Sequence, residues 1–110
     1  MHKLIALYHP PKDAAQFRDH LVRVHLPLVQ RFPGLRGLRY GLEPACPTGA
    51  APFAAVVECD FDSEAAMQGA LSSDAGLAAA ADVPNYAGAG VTILTFPSQS
   101  MGPMMSKPTS

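Results

Sequence analysis

Charge is scarce in this sequence and nearly balanced: eight Lys and Arg stand against nine Asp and Glu, and charged side chains make up 15% of 110 residues. Such a chain offers no basic footprint for a nucleic-acid backbone and no polybasic patch for anionic lipid. Cysteine is rarer still. Cys46 and Cys59 lie 13 residues apart, one in a Pro/Gly-rich stretch and one in an apolar run, with no CxxC and no zinc spacing. A phosphate loop and a GxGxxG are also missing. Gly88-Ala89-Gly90 precedes an expected strand, whereas a dinucleotide fingerprint follows one, so no tightly bound cofactor is expected. Long hydrophobic runs are absent too. The Ala-rich stretch 75–81 is bounded by Asp74 and Asp82, far short of the roughly 20 apolar residues a bilayer requires. The opening Met1-His2-Lys3 leads into an apolar run of only a few residues, unlike a signal peptide, which with the sparse cysteines sets the expectation of a soluble protein of the reducing cytoplasm.

What is present suits one small core: 48% of the residues are hydrophobic in a chain too short for two. Residues 3–8 form a short apolar strand stopped by Pro10-Pro11. Asp13 offers a helix cap, and Phe17, Leu21, Val24 and Leu28 recur along one helical stripe. Pro27 falls inside that pattern at a cost of roughly 3 kcal/mol, which predicts a kink or early end near His25. A second strand spans 35–42, with Leu38, Tyr40 and Leu42 on one face. The proline-rich stretch 43–52 is a loop, and 53–61 is a third, central strand that is largely apolar on both faces. Ser63 caps a helix with Ala66, Ala70, Leu71, Leu77 and Ala80 on its apolar side and a break at Ser72-Ser73. A turn at 85–90 precedes the last strand, 91–96.

The order is β-α-β-β-α-β, an α+β ferredoxin-like arrangement with a four-stranded antiparallel sheet and both helices on one face. Residues 1–96 form this domain. Residues 97–110, rich in Ser, Pro and Met, form a flexible tail or an arm that orders on a partner; the Met101, Met104, Met105 cluster lacks the His or Cys that a soft-metal site would add. The bare sheet face calls for a second copy of the chain, closing a dimeric barrel with the helices outside.

Among residues able to do chemistry, His25 stands first, since an imidazole titrates near neutrality and sits here at the expected helix break. The competing reading is a helix-end histidine that satisfies carbonyls freed by Pro27. His20 lies about 140° from His25 around an ideal helix, and a solvent-facing role is favoured for it. Tyr40 and Glu58 complete the candidate set. Core packing is the commoner role for a tyrosine such as Tyr40, and Glu58 is expected either to pair with Arg36 or Arg39 or to take up a proton, a structural ion pair at the dimer interface being slightly favoured over an acid/base role. Cys59 reads as an inert core thiol.

Five segments then suggest a family: Lys3-Leu4-Ile5-Ala6-Leu7-Tyr8, His25-Leu26-Pro27-Leu28-Val29, Pro33-Gly34-Leu35-Arg36, Phe61-Asp62-Ser63-Glu64-Ala65 and Ala81-Asp82-Val83-Pro84-Asn85-Tyr86. In this order they resemble the EthD family, over residues 1–96. The resemblance implies a dimeric α/β-barrel of ferredoxin-like subunits. It implies little about activity: the family is named for ether degradation beside a cytochrome monooxygenase and is grouped with oxidoreductases by association. Related barrels include cofactor-free monooxygenases, polyketide cyclases, muconolactone isomerases and haem-degrading enzymes. The resulting expectation is a small dimeric enzyme, without cofactor, that acts on a small hydrophobic or aromatic oxygenated metabolite. His25 would be its acid/base group, with Tyr40 or Glu58 orienting the substrate. The rival expectation is a non-catalytic binding protein for such a metabolite, or an accessory partner of an oxygenase.

Overall fold

The computed structural model describes residues 1–102, so Met104, Met105 and the other residues of 103–110 in the expected tail lie outside the described residues, whereas Pro97 closes the last strand. Strand β1 (His2–Tyr8) alternates with period two: His2, Leu4, Ala6 and Tyr8 are buried while Lys3, Ile5 and Leu7 are half-buried. Strand β3 (Ala55–Phe61) repeats the pattern, burying Ala55, Val57, Cys59 and Phe61. The two strands pair antiparallel with Leu4 opposite Cys59 and Ala6 opposite Val57, so their buried residues share one face. Strands β2 (Gly37–Leu42) and β4 (Val91–Pro97) flank them to give the antiparallel order β2-β3-β1-β4, the ferredoxin-like α+β sheet.

The first helical leg is where sequence and structure part. Helix α1 (Ala14–His20) starts on Asp13, whose carboxylate accepts from the Gln16 backbone N–H at 3.0 Å. It continues through a π-helical turn (Leu21–His25) into α2 (Leu26–Val29), which carries Pro27 in its first turn. The Leu26 N–H reaches back five residues to the Leu21 carbonyl. Proline has no N–H for the Arg23 carbonyl and would crowd it in α register; the wider turn relieves that crowding, so the expected end or kink near His25 takes the form of a π turn in a continuing helix.

That turn moves the buried stripe by one residue. Phe17 and Leu21 are buried as the periodicity predicts, but beyond them the core receives His25, Leu26 and Val29, while Val24 is exposed and Leu28 only half-buried.

The second leg breaks where expected. Helices α3 (Glu64–Ser72) and α4 (Asp74–Tyr86) meet at Ser73, whose hydroxyl donates to the Ala70 carbonyl at 2.5 Å and accepts from the Gly76 N–H at 3.1 Å. The break resets the helical phase, so α4 buries Gly76, Ala79, Asp82 and Tyr86, and the expected Leu77 and Ala80 are exposed. Helix α4 also runs through Pro84 to Tyr86, which shortens the expected 85–90 turn.

Among the described residues no helix covers the opposite sheet face. Ile5, Leu7, Val56, Leu94 and Phe96 lie on it together with the charged residues Lys3, Arg39, Glu58 and Asp60. The apolar character expected of β3 on this side therefore reduces to Val56; the neighbouring strands β1 and β4 supply the rest. Lys3 Nζ meets Asp60 Oδ1 at 2.7 Å, and an Arg39 terminal nitrogen donates to Asp60 Oδ2 at 2.8 Å. These two bonds, that from Lys3 first, hold the Asp60 carboxyl below its ordinary range.

At Gly76 a β-carbon would collide with the backbone carbonyls of Ala70 and Leu71 where the two helices meet. Gly76→Ala is therefore expected to lower unfolding free energy by about 1–3 kcal/mol in urea denaturation, although alanine is the better helix former. An unchanged midpoint would show that the α3–α4 corner yields easily.

Candidate functional site

The one-residue shift at the π turn delivers His25 to the interior at 5% exposure, beside a buried carboxylate from α4. Asp82 comes from the Ala-rich part of that helix, and three donors converge on it. His25 Nδ1 lies 3.0 Å from Oδ2, His20 Nε2 lies 2.8 and 3.0 Å from the two oxygens, and Asn85 Nδ2 donates to Oδ1 at 3.0 Å. A carboxylate only accepts, so each imidazole presents an N–H to it, which fixes the tautomer of both rings in their neutral forms. Burial pushes the Asp82 carboxyl up, but the hydrogen bonds from Asn85, His20 and His25 outweigh it and hold the group below its ordinary range. Desolvation pushes His25 the other way, down from 6.5, and outweighs the opposing pull of Asp82. At neutral pH the arrangement is Asp82 ionised and His25 neutral, with its Nε2 lone pair unprotonated. Among the described residues no hydrogen bond uses that nitrogen.

His20 does not face solvent, as an ideal α-helix requires. A π turn brings residues five apart into line, as an α-turn does for residues four apart, so His20 and His25 reach the same carboxylate. Tyr86, one turn beyond Asp82 on α4, fills the space around them. Its ring stacks on His20 with centroids 5.0 Å apart and lies 4.9 Å from that of His25. Its hydroxyl is 2.7 Å from that of Tyr8, at the end of β1, and both phenols are buried.

His25 and Tyr8 border a cavity of about 290 Å³ between sheet and helices, walled by Leu4, Val29, Phe32, Val83 and Ile93. Its walls are almost wholly apolar, which suits a compact hydrophobic ligand with few polar atoms. Cys59 also lines it, with its thiol pushed up to about 11, first by burial and then by the Asp60 charge, so it is protonated and inert at neutral pH. A wider hollow of about 590 Å³ lies on the far side of Tyr86, between the Pro10-Pro11 segment and the end of α4. It lacks a convergent acid/base pair.

Tyr40 and Glu58 are not brought to His25. Tyr40 stands opposite Val57 on the helix-facing side of β2, but this edge strand is poorly covered, and its side chain is half-exposed above Val22, Leu26 and Pro27. Glu58 pairs with Ile5 and Arg39 on the uncovered face, 3.3 Å from an Arg39 guanidinium nitrogen. Of its two expected partners Glu58 thus takes Arg39, and Arg36 binds Asp62, at 2.8 Å. Sequence reasoning assigned no role to Asp82, Tyr8 or Tyr86. One signal was available: Asp82 is a charge set into an apolar helical segment, with Asn85 and Tyr86 three and four residues on, hence on its own helical face.

The EthD domain model matches residues 9–90. An uncharacterised 11.0 kDa protein of the thcB-thcC intergenic region of Rhodococcus erythropolis is 34% identical over 94 residues, covering 86% of this chain and 91% of that protein. The crystal structure of an ethyl tert-butyl ether degradation (EthD) family protein from Bacillus halodurans superposes with a TM-score of 0.84 at 32% identity, over 90% of this chain and 99% of that one. Two more distant structures share the fold. A dimeric ferredoxin-like protein of unknown function from Thermobifida fusca gives a TM-score of 0.67 at 18% identity over 86% of this chain and 88% of its own. SnoaB, a cofactor-independent oxygenase from Streptomyces nogalater, gives 0.68 at 15% over 93% of this chain and 96% of its own.

Because unfolded histidine takes up a proton near pH 6.5 and buried His25 only at lower pH, the stability this residue confers is complete above about pH 6.5 and is lost as the pH falls below it. The Asp82 contribution persists until the pH drops below the ordinary carboxylate range of about 4. The urea midpoint should thus fall between pH 7 and 5, less steeply in His25→Gln. The His25 ring should titrate below 6.5 by NMR, and a midpoint above 6.5 would contradict the buried neutral ring.

Proposed function

The chain belongs to the EthD family, and from that premise we propose that it is a small cofactor-independent enzyme moving a proton on a small hydrophobic, oxygenated metabolite held in the 290 Å³ cavity. The observation that carries this reading is the His25 ring, fixed through Nδ1 by the buried Asp82 with Nε2 unpaired at the wall of an apolar cavity. A neutral imidazole so oriented takes a proton at Nε2, and the carboxylate behind it stabilises the imidazolium that forms. His20 and Asn85 satisfy the remaining lone pairs of Asp82 and keep it from rotating away. In this proposal the orienting role passes from Tyr40 and Glu58 to Asp82.

A cofactor-independent oxygenase on the same fold, SnoaB, supports chemistry carried by side chains alone. The oxidoreductase and ether-degradation associations of the family are compatible with proton removal as the step that activates a substrate. A carrier would use the same cavity but needs no unprotonated base in it. The cleanest discrimination is solvent exchange: with cyclohexanone in D₂O, the wild type should speed deuterium uptake next to the carbonyl, and His25→Ala should slow it by about 10²–10⁴-fold. Binding without accelerated exchange would favour the carrier.

The proposal includes a homodimer formed through the uncovered face. On this lone subunit Leu94 and Phe96 lie exposed and Ile5, Leu7 and Val56 half-buried beside them, and the Thermobifida fusca neighbour is dimeric. Glu58 then belongs, with Lys3 and Arg39, to the charged part of that contact. Light scattering at micromolar concentration should report roughly twice the 11.6 kDa chain mass. Val56→Asp places a charge on this face and should cause aggregation or unfolding, whereas a stable wild-type monomer would overturn the pairing.

A further inference from the structure

Two phenols carry two hydroxyl hydrogens, and the 2.7 Å contact between Tyr8 and Tyr86 uses one of them. Neither oxygen makes another hydrogen bond among the described residues. One hydroxyl hydrogen in a pair only 3% and 4% exposed is thus left without an acceptor, an arrangement that costs stability unless something else receives it. The pair is asymmetric. Tyr86 is pushed far up by burial, by the adjacent Tyr8 and by its own hydrogen bond, whereas that same bond pulls Tyr8 down against the upward push of burial. Either phenol can donate within the pair, so when an acceptor enters the cavity the Tyr8 hydrogen is free to turn to it while Tyr86 donates to Tyr8. Tyr8 lines the same cavity as His25; Tyr86 does not. The cavity wall accordingly carries one unused donor, Tyr8 O–H, and one unused acceptor, His25 Nε2, in otherwise apolar surroundings.

We infer that Tyr8 is the oxyanion donor of this site, and that the substrate is a small cyclic or aromatic carbonyl compound with a removable hydrogen beside its C=O. The inference rests on the acid/base reading of His25 and names the substrate class for it. The carbonyl oxygen accepts from Tyr8 while His25 Nε2 takes the proton from the neighbouring carbon. The C–H electron pair becomes the new C=C bond, and the C=O π pair moves onto oxygen as an enolate. Tyr8 keeps its proton and donates a hydrogen bond to that oxygen, strengthened by Tyr86 donating in turn to Tyr8. Where the substrate carries a C=C next to that carbon, the enolate is a dienolate, and the imidazolium, held by Asp82, returns its proton to the far (γ) carbon while the electron pair on oxygen re-forms the C=O and the double bond shifts into conjugation with it. The net change is an isomerisation, with no oxidant or reductant consumed. Tyr86 acts through Tyr8 and is a positioning residue.

Phenolates mimic the enolate oxygen, so 4-nitrophenol is the probe and toluene the apolar control. The wild type should bind both and hold 4-nitrophenol with the absorbance of its ionised form. Tyr8→Phe should weaken 4-nitrophenol by roughly tenfold to a hundredfold and leave toluene within about twofold, since only a charge-assisted hydrogen bond is lost. Tyr86→Phe, which keeps the Tyr8 hydroxyl but removes the donor behind it, should weaken 4-nitrophenol by roughly threefold to tenfold with toluene unaffected, and it decides the matter if Tyr8→Phe does not fold. Unchanged 4-nitrophenol binding in these variants overturns the inference alone, because His25-dependent deuterium exchange can persist without it. If neither probe binds the wild type, the cavity is not a ligand site and both readings fall.

Discussion

Pro27 cannot complete an α-helical hydrogen bond, and the functional geometry follows from how the chain accommodates that loss. The helix changes register by one residue over Leu21–His25 instead of ending. Ordinary α periodicity would bury Val24 and Leu28 and leave the two histidines on different sides. With the π turn, His25 enters the core and His20 arrives over the same carboxylate. A backbone defect of one hydrogen bond is thereby converted into the placement of two titratable side chains, which a regular helix of the same sequence could not achieve.

A charge inside a core of this size needs specific compensation. Asp82 has no lysine or arginine partner among the described residues; three N–H donors share the load, two from the first helical leg and one from its own helix. The same bonds tie the two legs together over the sheet. Removing any donor leaves an oxygen short of a partner in a low-dielectric setting, so the cluster ties the position of α4 to the protonation of His25. The chemistry of the site and the packing of its helices rest on the same few atoms.

The strands, their order along the chain and the two capped legs were legible in the sequence because they rest on local signals: the apolar runs 3–8 and 53–61, the alternation in 35–42, the caps at Asp13 and Ser63, and the break at Ser72-Ser73. The candidate site was legible only in His25. Extrapolating one helical phase through the π turn at Leu21–His25 misplaced Val24 and the relation of His20 to His25, and extrapolating another across Ser73 misplaced Leu77, since each break resets the angular count by an amount no local pattern encodes. Asp82 lies 57 residues from His25, and the Tyr8–Tyr86 pair spans 78; such pairings come from topology and not from spacing. Tyr40 and Glu58 were chosen for their chemistry, but the alternation that places Glu58 on the uncovered face could have separated it from His25 beforehand.

Strand β1 runs through the middle of a sheet one layer thick, and consecutive residues on it face different worlds. Tyr8 borders the internal cavity, and the next residue back, Leu7, lies on the uncovered face opposite Val56. The peptide unit between them is a shared wall. Tyr8 is the last residue of the strand, and Pro10-Pro11 follows it, so the stretch ends within three residues of that wall. A substitution that enlarges Leu7 or Tyr8 therefore presses on the same peptide unit from opposite sides, so the outer face and the cavity wall cannot be reshaped independently at this point of the strand.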